Sequence, residues 1–167
     1  MATGAIAADP VTVVAPTPPA PPMAAQGFDW GGFYAGAVVE GVFNPGSTFG
    51  WFVTAAQMGY NFTFNRILLG ASAAVGAWFY GTVSGGGPAV ELVARAGVAL
   101  DRAAIYGLLG AVGYGPGGLS WYSMGGVGIE LAVGDRVSIF GEVRLEELFS
   151  PPFYPHVTGG VNFHFGN

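Results

Sequence analysis

The chain has 167 residues, of which 51% are hydrophobic and only 9% charged; it has no cysteine, five basic residues that are all arginine, ten acids and a net charge of -5. Soluble domains carry about 25% charged residues, so water is a poor solvent for most of this surface. The acidic balance leaves no basic patch for nucleic acid, and the lack of cysteine excludes disulfides and thiolate metal sites while remaining compatible with an oxidising envelope compartment.

The amino terminus, Met1 to Ala8 followed by Asp9-Pro10, has the small-residue character of the tail of a signal peptide whose charged and apolar front is missing. Residues 10–26 contain six prolines, which cannot sustain a ladder or a helix interior, so this stretch is expected as a polyproline II or disordered tether. Residues 1–27 are thus read as signal remnant and tether, and residues 28–167 as the folded domain.

Within that domain three polar turns, Asn65-Arg66, Asp101-Arg102 and Asp135-Arg136, recur at intervals of 36 and 34 residues. Each interval holds one strand out, one loop and one strand back, with strands long enough for the roughly 9 to 11 residues of a tilted membrane crossing. Ile67 to Val90 and Ala103 to Ile129 carry no charge over 24 and 27 residues, so helical spans must be considered. Nine glycines and Pro116 in the second stretch, and the run Ser84 to Pro88 in the first, break both as helices.

Period-two alternation describes the chain better. Val127, Ile129, Leu131 and Val133 share one face, with Gly126, Gly128 and Glu130 on the other; Val137, Ile139, Val143 and Leu145 alternate with Ser138, Phe140, Glu142 and Arg144. Near the carboxyl terminus Val157, Val161, Phe163 and Phe165 alternate with Thr158, Gly160, Asn162 and His164. Extending the pattern predicts eight strands, at residues 31–43, 51–64, 67–80, 89–100, 103–114, 119–133, 137–147 and 156–165. An even number returns the last strand beside the first and leaves no unpaired edge in lipid, which makes the fold an all-β, eight-stranded antiparallel up-and-down transmembrane barrel.

Charges in such strands are tolerable only inside. Counted from the turns, Arg95, Glu130 and Glu142 fall in one layer and Glu40, Glu91 and Arg144 in a higher one, predicting a salt-bridged, side-chain-filled lumen. Counted the same way, an aromatic girdle is expected from Trp51, Trp78, Tyr80, Trp121 and Phe153 at the loop end and Trp30, Tyr60, Phe62, Tyr106, Phe163 and Phe165 at the turn end. His156 and His164 lie eight residues apart on one strand, about 27 Å when extended, too far to share a metal or a substrate atom. His156, with Glu146, Glu147 and Ser150, reads as part of a wet loop, and His164 as a hydrogen-bonding group of the lumen. No catalytic site, metal or cofactor is expected.

The chain also resembles the small eight-stranded outer-membrane barrel proteins common in alphaproteobacteria, relatives of the OmpA-type transmembrane domain. The resemblance runs from Trp30 to Phe165: Trp30-Gly31-Gly32-Phe33-Tyr34-Ala35-Gly36 after a Pro-rich segment, then Gln57 to Phe62, Ala94 to Gly97, Gly126 to Glu130, Glu142 to Arg144 and the closing Gly160 to Phe165. It implies location in the outer membrane of a Gram-negative bacterium, contact with outer-membrane lipid and lipopolysaccharide, and recognition of the terminal strand by the outer-membrane insertion machinery. Here Gly166-Asn167 follow the terminal aromatic, and Ser72 and Ala74 stand where the family tends to carry acids.

Two functions follow. One is a structural barrel that contributes to envelope integrity. The other is an interaction subunit whose short uncharged loops, 44–50, 81–88, 115–118 and 148–155, carry Phe49, Phe149, Phe153 and Tyr154 toward other copies or another envelope protein. A narrow porin-like channel is the remaining alternative.

Overall fold

A computed structural model describes residues 1, 27–44, 49–80, 85–149 and 151–166; the expectations for the signal remnant, the tether and Ser150 lie outside the described residues. The elements are β1 (Gly32–Phe43), β2 (Phe49–Phe64), β3 (Ile67–Tyr80), β4 (Gly86–Ala99), β5 (Ala103–Tyr114), β6 (Ser120–Ala132), β7 (Val137–Glu146) and β8 (Tyr154–His164). They form one closed antiparallel barrel in chain order. Closure comes from β1 pairing with β8, from Tyr34 opposite His164 to Val42 opposite His156. Every strand then has two neighbours, the condition for holding an extended backbone in hydrocarbon.

The largest departure from the expected bounds is in β4, which begins at Gly86 rather than residue 89. The Gly86-Gly87-Pro88 run continues the ladder, opposite Phe79, Trp78 and Ala77 of β3. Proline is tolerated so near a strand's beginning, where the ladder is only starting. At the opposite end, Phe64 faces Ile67 across the Asn65-Arg66 turn. Asn65 has φ 56°, a left-handed conformation that asparagine adopts more readily than most residues and that suits a two-residue hairpin.

The molecule is inside out relative to a soluble domain. Leu92, Ile105, Leu109, Val127, Val143 and Val157 are exposed on the outer wall, whereas Glu40, Arg95, Glu130, Arg144, His156 and Asn162 are buried within it. The alternation dictates this: each strand presents one set of side chains to each face, and the β-branched and leucine set suits lipid.

The approach to β1 seals the turn end. Phe28 donates its backbone N–H to the Asp101 carbonyl at 2.8 Å, and the Trp30 indole N–H donates to the Leu100 carbonyl at 2.9 Å. Phe28 and Trp30 are buried in one apolar cluster with Leu68, Ala104, Tyr106 and Leu108. Trp30 therefore does not stand in the outer girdle; preceding the strand, it is not bound by strand alternation and folds inward.

Candidate functional site

The lumen holds two polar clusters. In the one nearer the turns, Glu130 is fully buried and each of its oxygens is engaged. Oε2 accepts from Arg95 Nη1 at 2.8 Å; Oε1 accepts from the Ser138 hydroxyl and from Asn162 Nδ2 at 2.9 Å, with His164 Nε2 at 3.3 Å. Arg95 also donates through Nε and Nη2 to Asn61 Oδ1, at 3.1 and 2.9 Å. Asn61 in turn donates to the Trp30 carbonyl at 2.9 Å, which ties the cluster to the sealed end. The guanidinium lies between the rings of Tyr34 and Tyr106, 4.8 and 4.9 Å from their centroids, an arrangement in which ring quadrupoles stabilise the cation away from water.

The second cluster centres on Arg144. Its Nη1 donates to Glu91 Oε2 at 2.7 Å and to Glu40 Oε2 at 3.2 Å, and its Nε to Glu142 Oε2 at 2.6 Å. Thr158 donates to Glu40 at 2.7 Å. His156 has no exposed surface and sits between Glu40 Oε1 at 2.9 Å and Glu146 Oε2 at 3.0 Å. It is thus not part of a wet loop: it shares the inward parity of Thr158, Asn162 and His164, and β8 begins two residues before it.

The predicted six charges are all inside, but the layering differs. Glu142 joins Arg144 rather than Arg95 and links the clusters by accepting from the Tyr106 hydroxyl at 2.7 Å. Glu142 and Arg144 are two apart on one face of β7, about 7 Å in rise, well within the reach of a guanidinium. Counting residues from the turns missed this because side-chain length spans a layer. Room for the contact comes from Gly128: a Cβ there would stand 2.7 Å from both Glu142 Cγ and Tyr106 Cε2.

The girdle also divides. Trp121, Phe163 and Phe165 are exposed on the outer wall, but Trp51 and Trp78 turn inward and pack against the buried Val42, Val53 and Ala89 at the loop end of the lumen. Tyr106 is likewise buried. Strand parity carries the missing signal: Trp51 shares a face with Gln57 and Asn61, and Trp78 shares one with Ser72, whereas distance from the turns says nothing about which way a ring points. β5 has no polar residue other than its tyrosines to mark its inner face, so Tyr106 was not legible.

Among the described residues no group of three or more His, Asp or Glu side chains is arranged to hold a metal ion. The arrangement instead fills the middle of the barrel, where two cavities measure about 20 and 10 Å³.

No protein-family model matches the chain, and no curated protein matches it. Among solved structures it is similar to Ail, the attachment invasion locus protein of Yersinia pestis, with a TM-score of 0.53 and 14% identity over 80% of this chain and 97% of that one. The chain has the fold of the small outer-membrane barrels. Neisserial surface protein A aligns with a TM-score of 0.46 and 12% identity, over 80% of this chain and 97% of that one. The outer membrane protein OprG of Pseudomonas aeruginosa aligns at 0.45 and 12%, over 85% and 99%. At these identities the likeness is one of architecture.

Proposed function

We propose that this chain is a structural barrel of a Gram-negative outer membrane, closed to ion flow and contributing to envelope integrity, with no catalytic role. The observation that carries the reading is the filled middle of the lumen, where cavities of about 20 and 10 Å³ leave room for no more than isolated waters. An eight-stranded barrel is only wide enough for side chains to fill, and here those side chains are cross-linked by ion pairs between β1, β4, β6 and β7. The apolar wall supports contact with outer-membrane lipid and lipopolysaccharide, and the closing Gly160 to Phe165 supports handling by the outer-membrane insertion machinery. The order of the motifs from Trp30 to Phe165 supports kinship with the alphaproteobacterial, OmpA-type barrels.

Planar-bilayer recording of the refolded full chain tests closure. Silent bilayers are expected; steady open-channel currents would replace this reading with the porin-like one.

A second reading, an interaction subunit that packs against other copies or another envelope protein, is favoured by Phe49, Phe149 and Phe153, which are exposed near the loop end. A strict monomer in mild detergent would count against it.

A further inference from the structure

The loop end of the lumen is a bowl with a cavity of about 280 Å³, close to the lower bound for small-molecule sites. Six aromatic side chains form its wall: Trp51, Trp78, Tyr80, Tyr114, Tyr122 and Tyr154. They are in ring contact around the rim, Trp51 lying 6.0, 6.1 and 6.5 Å from Tyr154, Tyr80 and Tyr114, with Trp78 4.9 Å from Tyr80 and Tyr122 6.1 Å from Tyr114.

Glu146 and Glu147 line the same bowl. Neighbours on a strand face opposite ways; these two share a cavity because β7 ends at Glu146 and Glu147 takes φ 57°, a left-handed conformation uncommon for glutamate. Glu146 is only 3% exposed, its Oε2 lying 3.0 Å from His156 Nε2. The buried Trp78 Nε1 is without a partner among the described residues.

Beneath the bowl charge does not balance. Glu40, Glu91, Glu142 and Glu146 surround Arg144 and His156, and Glu147 adds a fifth carboxylate at the rim, so five acids face two cations even with His156 protonated. The chain has no lysine. Arg95 is committed to Glu130, and Arg66, Arg102 and Arg136 stand at the turns of the other end. The surplus is relieved either by a proton kept on a buried carboxylate or by a cation from outside the chain, and the bowl is where such a cation can enter.

We propose that the bowl binds a small organic ammonium cation, quaternary or protonated, that carries a hydroxyl or similar acceptor. Aromatic faces attract such a cation through their quadrupoles and tolerate its apolar surface, which a hydrated metal ion lacks. Glu146 and Glu147 supply the opposite charge, and the Trp78 N–H, unpartnered among the described residues, is the donor for the acceptor. The packed middle of the barrel gives the site a floor.

Choline is the probe, titrated against the full chain refolded in a neutral maltoside detergent and read by tryptophan fluorescence, since Trp51 and Trp78 line the site. Its neutral isostere 3,3-dimethylbutan-1-ol and sodium chloride are the controls. Saturable binding of choline is expected, at least about tenfold tighter than the isostere, with a similar loss in Trp51→Leu and in Glu146→Gln but not in Trp51→Phe. Glu147→Gln lies outside the strands and reads the charge contribution without altering the barrel; it should weaken choline and leave the isostere unchanged. Heat-modified mobility on gels establishes that each variant is folded. Equal affinity for choline and its isostere, or full choline affinity in both Trp51→Leu and Glu147→Gln, overturns the proposal. Ion currents in bilayers bear on closure instead, so the two readings fail separately.

Discussion

The two halves of the lumen are built from the same residue types but reach opposite ends. Near the turns, one arginine meets one carboxylate, Asn61 accepts from the arginine, Ser138 and Asn162 donate to the carboxylate, and Trp30 and Phe28 close the exit. Near the loops, Arg144 serves three carboxylates at once, His156 is held between two, and the described residues at the exit form an aromatic bowl. Burying charge is costly unless each ion is paired and hydrogen-bonded. The turn half meets that condition internally and serves as a plug; the loop half does not, and its surplus faces the side from which a ligand arrives.

The largest expected effect comes from removing the shared cation. Arg144→Met strips Glu40, Glu91 and Glu142 of their guanidinium together and should cost about 3 to 5 kcal/mol, the range for breaking a buried pair, seen as the largest fall in the midpoint of urea unfolding in detergent. Arg95→Met should cost less, about 2 to 3 kcal/mol, because Glu130 retains Ser138, Asn162 and His164. The reverse order would break the contrast between a balanced and an overloaded half.

Gly128→Ala tests the contact that joins them. The added methyl meets Glu142 and Tyr106 at 2.7 Å and should cost about 1 to 3 kcal/mol as overpacking, with little change in the fluorescence of the bowl. Smallest of all, Trp121→Ala on the outer wall should shift the midpoint by about 1 kcal/mol or less, whereas Trp30→Ala, which opens the sealed end, should cost about 3 kcal/mol. Equal effects at the two tryptophans would return Trp30 to the girdle.

Much of this is legible in the sequence. Glu130 among glycines and valines, and Glu142 and Arg144 in step with Ser138, mark inner faces because a charge has nowhere else to go in lipid. Asn162 and His164 do the same for β8. Trp51 and Trp78 face inward although they lie near an interface, because parity and not distance from the turns sets the face, and Gln57 and Ser72 mark the faces they share. Trp30 carried no such mark, since alternation begins only once the ladder does.

By itself the sequence determined the strand count, the closure and the six charges forced inside, because a period of two and the absence of water in hydrocarbon leave no other solution. Which charges meet was decided only by the closed barrel. Strand tilt and side-chain reach bring Glu40 and Glu91 to Arg144, Asn61 to Arg95 and Glu146 to His156 across separations of sequence that no periodicity encodes, and the same geometry gathers six rings and two carboxylates into one bowl.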